Sequence, residues 1–138
     1  MKVQIMIPAV VLASLVGCKS IPVSENAASI GVSFDFEAKH ACKSRSAQSR
    51  LSPEVTLTGI PAGTAFLQFK MVDLDYRPAD HGSETLEYTG SVIPEGGLKS
   101  YVGPCPPSTH RYTMTFSALN ADKSLILGEG QGMARWPK

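Results

Sequence analysis

The stretch YVGPCPPSTHRY, residues 101–112, holds one glycine, three prolines, a cysteine, a histidine, an arginine and two tyrosines. Proline fixes the backbone angle φ and lacks an N–H donor, so this stretch does not fit the middle of a helix or a sheet. Two explanations suit titratable and aromatic groups beside such a stiff loop. The loop either shapes a binding site or rigidly connects two strands.

Around this loop, apolar and polar residues alternate with a period of two, which is typical of strands with one buried face. The segments concerned are residues 30–38, 55–58, 65–73, 86–93, 112–118 and 125–127. No segment has a capped helical period of useful length. Short strands punctuated by glycine and proline predict an all-β domain, an antiparallel β sandwich with little or no helix. Residues 39–52 and 73–85 are predicted to be irregular.

The length and charge of the chain narrow the possible classes. A chain of 138 residues suggests a single domain. Its 13 basic and 12 acidic side chains give a net charge of +1. Because no basic stripe is present, we expect no nucleic-acid partner.

Residues 1–17 have the features of a secretory signal peptide, with Lys2 at the start, an apolar core and a small residue before Cys18. The ending Leu-Val-Gly-Cys, residues 15–18, resembles the lipobox of bacterial lipoproteins, in which the cysteine is acylated and becomes the new N-terminus. An ordinary secretory signal that contains a cysteine is the alternative.

A lipid on Cys18 would define both the domain boundaries and the location of the protein. Residues 18–29 would form a lipidated tether and residues 30–138 the folded domain, attached to the membrane through lipid. Lys19 follows the cysteine, where lipoproteins retained at the inner membrane typically carry aspartate. We therefore expect the outer membrane of a bacterial cell envelope, with the domain facing the periplasm.

Two further cysteines, Cys42 and Cys105, remain once Cys18 is assigned to lipidation. An even pair in an oxidising compartment predicts a disulfide. A metal site is the alternative, but neither cysteine belongs to a Cys-x-x-Cys or His-x-x-x-His spacing. The sequence therefore favours the disulfide and predicts no metal.

Two loops carry side chains that suit ligand binding. If the two loops meet, they would ring a pocket with Asp73, His81, Tyr101, His110 and Tyr112. Imidazole and phenol groups can donate hydrogen bonds to phosphate oxygens, so such a pocket suits a small anion or a polar head group. The alternative is purely structural: Asp73 caps a turn, His110 pairs with a carbonyl and Tyr112 packs in the core.

Catalysis has little support in the sequence. No Gly-x-Ser-x-Gly elbow is present, and Cys105, between two prolines, is a poor candidate for an activated thiolate. No specific pattern indicates a glycosidase-like pair of carboxylates. We therefore expect a protein that is not an enzyme and that needs no cofactor.

The proline-rich stretch resembles the signature of phosphatidylethanolamine-binding proteins (PEBPs), whose bacterial members are often described as Raf-kinase-inhibitor-like. Residues 101–107 followed by His110-Arg111-Tyr112 are similar to Gly-Pro-x-Pro-Pro-x-Gly-x-His-Arg-Tyr. Residues 52–63 are similar to Ser-Pro-x-Leu-x-Trp-x-Gly-x-Pro-x-Gly, and residues 72–75 stand where the family has Asp-Pro-Asp. The resemblance covers about residues 34–120.

The resemblance implies a Greek-key fold and a small cavity that binds phosphate-like anions or phospholipid head groups. Asp73, His110 and Tyr112 would line that cavity. Four residues of the signature would shape its wall: Gly103, Pro104, Pro106 and Pro107. The family's second pocket histidine would fall near Glu87, whose carboxylate would repel phosphate, and His81 is the candidate to replace that imidazole.

Two functions follow. The first is a lipid-anchored protein that binds a small anion or a phospholipid head group without turnover. The second is an interaction protein with a vestigial pocket that inhibits or scaffolds an enzyme of the envelope, since the family includes inhibitors of kinases and proteases. The signature loop is one residue shorter than the family pattern, which favours the second function, and a Glu87 carboxylate close to His110 would favour it too.

Overall fold

The computed structural model describes residues 20–44, 47–76 and 79–138. The predicted signal peptide, residues 1–17, and the predicted lipidation site, Cys18, lie outside these residues. In these described residues the regular structure is β apart from a single 3-10 turn at Ala38–His40, which confirms the predicted all-β class. Within the described ranges, no helix is long and apolar enough to span a bilayer.

The strands form two sheets that face each other. They are β1 (Val23–Ser29), β2 (Gly31–Phe34), β3 (Val55–Thr58), β4 (Phe66–Asp73), β5 (Asp80–Glu87), β6 (Val92–Ile93), β7 (His110–Leu119) and β8 (Ile126–Trp136). The larger sheet has the order β1-β8-β7-β4-β5 and the smaller sheet the order β2-β3-β6. Neighbouring strands are antiparallel, as predicted, except that β1 runs parallel to β8.

The core lies between the two sheets and is supplied mainly by alternate residues of β4 and β7. Leu67, Phe69 and Met71 on β4 are buried together with Met114 and Phe116 on β7. This is the predicted alternation, and each such side chain stabilises the fold by about 1.5–3 kcal/mol when it leaves water. Since β4 and β7 are paired neighbours, their inward faces form one continuous apolar surface.

Strand β8 is much longer than the predicted segment 125–127. Its inward positions include Gly130 and Gly132, where an added Cβ would collide with the backbone carbonyl oxygens of Ile30 and Val32. Glycine is therefore required where β2 and Ile30, the residue before it, pass close to β8. The same glycines remove the apolar side chains from which a strand is recognised in sequence.

Two predicted irregular segments prove to be strands. Residues 18–29 were predicted as a tether, but the structure places Val23–Ser29 in β1, so the folded domain begins earlier than residue 30. Residues 73–85 were predicted to be irregular but contain most of β5. Both strands are polar and lie at the two edges of the larger sheet. Each is held by backbone hydrogen bonds to one neighbouring strand and lacks the alternating apolar residues from which a strand is predicted.

Candidate functional site

The paired ends of β4 and β7 bring three predicted site residues together. Asp73 is the last residue of β4 and continues the inward face of Phe69 and Met71. Its partner in the β4–β7 register is Tyr112, and His110 lies two residues earlier on the same face of β7. A carboxylate, an imidazole and a phenol therefore meet at one end of the core.

Asp73 is only 3% exposed and uses both carboxylate oxygens. Its Oδ1 accepts hydrogen bonds from the backbone N–H groups of Asp75 at 2.8 Å and Tyr76 at 3.1 Å. Its Oδ2 accepts a hydrogen bond from Nδ1 of His110 at 2.7 Å. Asp73 thus caps the turn after β4, as the structural alternative predicts, and also fixes the orientation of the His110 ring.

His81 supplies the second imidazole. It is the second residue of β5, is 8% exposed and donates a hydrogen bond from Nδ1 to the carbonyl oxygen of Val102 at 2.9 Å. Its ring packs edge-on against Tyr112, with 5.2 Å between the ring centroids. His81 and His110 therefore each have Nδ1 fixed by an acceptor, which leaves each Nε2 for another partner.

The alignment of Glu87 with the second pocket histidine is wrong. Glu87 is exposed and pairs with Phe66, at the opposite end of β4 from Asp73. Seven residues of strand separate Phe66 from Asp73, which amounts to about 24 Å. The Glu87 carboxylate therefore does not reach His110, and the repulsion that was one ground for the vestigial-pocket hypothesis is absent.

Tyr112 lies between both imidazoles and is fully buried. Its ring also makes an edge-on contact with Phe36, at 5.6 Å between centroids, and stacks beside His110 at 6.4 Å. Its hydroxyl is the one buried side-chain polar atom without a hydrogen-bond partner among the described residues. Burial raises the pKa of this phenol, and so do the negative charge and the closeness of the Asp73 carboxylate, although the hydroxyl makes no hydrogen bond of normal geometry to it, so the phenol stays a neutral donor.

These groups line a cavity of about 550 Å³. Six of the nine predicted ligand-binding residues line it: Asp73, His81, Pro106, Pro107, His110 and Tyr112. Five further lining residues were not predicted as binding residues: Gln48, Asp75, Tyr76, Ala79 and Cys105. Asp75 and Tyr76 lie two and three residues after Asp73, and Cys105 lies within the signature, so proximity to predicted residues was the available signal for these three.

The other three predicted residues do not line the cavity. Tyr101 is fully buried and its hydroxyl donates to the carbonyl oxygen of His40 at 2.8 Å. Gly103 packs so closely on the same carbonyl that a Cβ would collide with it. Pro104 is buried, and its carbonyl oxygen accepts from the N–H of Cys42 at 2.9 Å. These residues instead hold the signature loop against the segment that follows β2.

The predicted disulfide between Cys42 and Cys105 is confirmed, with 5.2 Å between the two Cα atoms. It joins the same two segments as the bond between Cys42 and Pro104, and it lies in the cavity wall through Cys105. In the part of the chain that the structure describes, no group of three or more His, Cys, Asp or Glu side chains could hold a metal ion.

An ion pair borders the cavity on the outer side. Arg111 Nη2 donates to Asp75 Oδ1 at 2.7 Å, and the Arg111 backbone N–H donates to Asp75 Oδ2 at 2.7 Å. These hydrogen bonds from Arg111 lower the pKa of Asp75 to about 2. The positive charge of Arg111 therefore compensates the negative charge of the Asp75 carboxylate at the edge of the cavity.

The two-sheet architecture and the position of the cavity define a fold, which comparison with solved structures identifies as that of the phosphatidylethanolamine-binding proteins. CT736 from Chlamydia trachomatis, described as a PEBP homologue, matches with a TM-score of 0.61 at 19% identity, over 82% of this chain and 99% of that one. YbcL from E. coli, described as a new member of the mammalian PEBP family, matches with a TM-score of 0.60 at 16% identity, over 79% of this chain and 97% of that one.

No protein-family model matches the sequence, and no curated protein matches it either. At identities below 20%, the two structural matches establish the fold of the chain.

Proposed function

We propose that this protein is a PEBP-family lipoprotein that binds a small phosphate-like anion or a phospholipid head group in the cavity, without turnover. The observation that carries the proposal is the Tyr112 hydroxyl, a buried donor without a partner in the described structure, in the wall of a cavity. A buried polar group that lacks a hydrogen bond costs about 1–3 kcal/mol. A ligand oxygen is the partner that the cavity can supply.

The two histidines support an anionic ligand. His110 and His81 each donate from Nδ1 to a fixed acceptor, so only Nε2 remains for the ligand. A protonated imidazole donates hydrogen bonds from both ring nitrogens. Two imidazoles and one phenol would then offer up to three donors, which suits phosphate oxygens.

The cavity also has room for more than inorganic phosphate. Its volume of about 550 Å³ lies in the range of pockets that hold organic ligands. Pro106, Pro107 and Ala79 provide an apolar rim beside the donors. A phosphate that carries an organic substituent, such as a phosphomonoester or a head group, therefore fits the lining.

Attachment to a membrane through lipid on Cys18 is the second part of the proposal. The lipobox-like residues 15–18 support it, and so does the Cys42–Cys105 disulfide, which is typical of proteins exported to an oxidising compartment. We propose an outer-membrane location facing the periplasm, because Lys19 follows the cysteine. Globomycin, which blocks lipoprotein signal peptidase, should cause the unprocessed precursor to accumulate, while mass spectrometry of the mature protein should find acyl chains on Cys18.

An NMR titration tests the ligand. Protein that begins at Ser20, with histidine side chains labelled with ¹⁵N, is titrated with inorganic phosphate and, separately, with phosphoethanolamine. We expect saturable shifts at His81 and His110 because both imidazoles line the cavity and neither uses Nε2 in its Nδ1 hydrogen bond. A tighter response to phosphoethanolamine would indicate a head group, and an equal response would indicate that the phosphate alone is recognised.

The third histidine of the chain provides an internal control. His40 is 2% exposed, and both of its ring nitrogens are bonded within the protein, Nδ1 to the N–H of Glu37 and Nε2 to Glu95. Its signals should remain in place throughout the titration. If His81 and His110 do not shift at millimolar ligand, or if all three histidines shift together, the proposed site is refuted.

A further inference from the structure

We infer that the cavity opens at the end of the larger sheet opposite to the lipid anchor, so that its ligand is a water-soluble phosphate-type anion. Head groups of the membrane that holds the protein would then not be the ligand. The inference rests on the proposed function, because it takes both the ligand class and the lipid on Cys18 from it. What it adds is the source of the ligand.

The anchored end of the sheet is fixed by the first described residues. The carbonyl oxygen of Pro22 accepts a hydrogen bond from the N–H of Ile126 at 2.9 Å, and Val23 is the register partner of Ile126. Ile126 in turn pairs with Leu119, the last residue of β7. The chain therefore enters the sheet at the row formed by Val23, Ile126 and Leu119.

The cavity lies at the other end of the same strands. Tyr112 pairs with Asp73 across β4 and β7, and His110 pairs with Trp136, the last residue of β8. Seven residues of β7 separate Tyr112 from Leu119. At about 3.4 Å per residue, the cavity is about 24 Å from the anchored row along the strand direction.

The connection between lipid and sheet is short compared with this distance. Cys18 and Pro22 are four residues apart, and four residues of fully extended chain span at most about 14 Å. The bilayer surface therefore lies close to the Val23 row, and when the sheet stands on that row the cavity faces the aqueous compartment. A domain that lies on its side, with the cavity rim on the bilayer, is the competing arrangement.

The chain contains a single tryptophan, and its position makes the two arrangements distinguishable. Trp136 is the register partner of His110 and so marks the cavity end. The full-length lipidated protein is reconstituted into vesicles of phosphatidylethanolamine and phosphatidylglycerol that contain a lipid with a nitroxide on its head group. Nitroxides quench tryptophan fluorescence only at short range, so we expect the fluorescence of Trp136 to be almost unchanged.

A matched variant moves the tryptophan to the anchored end. Trp136→Phe combined with Val23→Trp uses a position that is 51% exposed, so the new side chain requires no repacking. We expect its quenching to exceed that of Trp136 several-fold. Equal quenching of the two proteins would overturn the inference, and so would failure of the wild-type protein to float with the vesicles, because either result removes the upright, lipid-anchored arrangement.

The source of the ligand is tested on the same vesicles. We expect inorganic phosphate to shift His81 and His110 with the same midpoint whether or not the vesicles contain phosphatidylethanolamine. A midpoint raised by that lipid would show that the anchoring membrane supplies the ligand, which would overturn the inference. Failure of the proposed phosphate binding is a different result: phosphate then shifts neither histidine even in vesicle-free protein, while the quenching contrast is retained.

Discussion

Tyr112→Phe should stabilise the free protein and weaken its binding of phosphate. The substitution removes only the hydroxyl, which is buried and has no hydrogen-bond partner in the described structure. The phenyl ring that remains keeps its contacts with Phe36, His81 and His110, so no cavity is created in the core. Opposite effects on stability and affinity are typical of a group retained for ligand binding.

The magnitudes follow from the burial of the hydroxyl. A buried polar group without a partner costs about 1–3 kcal/mol, so the free energy of unfolding should rise by about 1 kcal/mol or more. With a urea dependence of about 1–3 kcal/mol per molar, the midpoint of unfolding should increase by about 0.3–1 M. A hydrogen bond to a charged ligand contributes about 1.5 kcal/mol, so the dissociation constant for phosphate should increase about tenfold.

Tyr101→Phe is the matched control. Tyr101 is equally buried, but its hydroxyl donates to the carbonyl oxygen of His40 at 2.8 Å and does not line the cavity. Its removal leaves a buried carbonyl oxygen without that bond, so stability should fall by about 1–2 kcal/mol. Phosphate affinity should stay unchanged, because the side chain does not reach the ligand.

Urea unfolding followed by circular dichroism, together with the histidine titration, measures both quantities for both variants. If Tyr112→Phe lowers stability as Tyr101→Phe does, the Tyr112 hydroxyl has a structural partner in solution. If Tyr112→Phe also leaves the phosphate midpoint unchanged, the argument for Tyr112 as a ligand donor fails.

Three further results are expected in urea unfolding. Replacement of both Cys42 and Cys105 by serine should cost about 4 kcal/mol, because the bond closes a loop across a separation of 63 residues. The Asp75–Arg111 pair should stabilise the fold fully above the ordinary aspartate pKa of about 3.9. This stabilisation should be lost as the pH falls towards about 2, the lowered pKa of Asp75 in the folded protein. Unfolding of Asp75→Asn should therefore lack this part of the pH dependence. Gly130→Ala should cost about 1–3 kcal/mol, because the new Cβ meets a backbone carbonyl oxygen.

Each result has an outcome that contradicts it. Reduction of the disulfide in the wild-type protein should lower the free energy of unfolding by as much as the double serine substitution does. A smaller decrease on reduction would contradict the expected contribution of the disulfide. If Asp75→Asn leaves the acid transition unchanged, the ion pair does not contribute to the stability of the fold. Gln131→Ala, at the exposed neighbouring position of β8, should be nearly neutral, and a loss equal to that of Gly130→Ala would exclude the close backbone approach.

The strands that carry the core were predictable because their signal is local. On β4 and β7, alternation places every second side chain on one face, and burial of that face follows from the sequence without any knowledge of the partner strands. The cysteine pair was equally readable, since exclusion of Cys18 left two cysteines. His110 and Tyr112 were found on one face of a predicted strand and Asp73 at the end of another, and the family resemblance pointed to the same three residues.

The edge strands could not be predicted in this way. β5 is mostly polar, and its pairing with β4 contains an irregularity between Lys70 and Val72 that only the paired chains reveal. Counting back along the sequence from Ile93-Pro94 placed Glu87 at the second imidazole, whereas the structure places His81 there. The inward glycines of β8, which the crossing of the neighbouring chain requires, likewise concealed a strand of eleven residues.

The proline-rich stretch of residues 101–112 shows the same division. By itself, the sequence determined that this segment is stiff, that Cys105 is bonded and that His110 and Tyr112 share a face, because proline geometry, cysteine pairing and strand periodicity are local properties. Only the tertiary structure decided that Tyr101, Gly103 and Pro104 support the wall from behind. That distinction depends on which chain packs behind the loop, and no property of the loop itself specifies its neighbour.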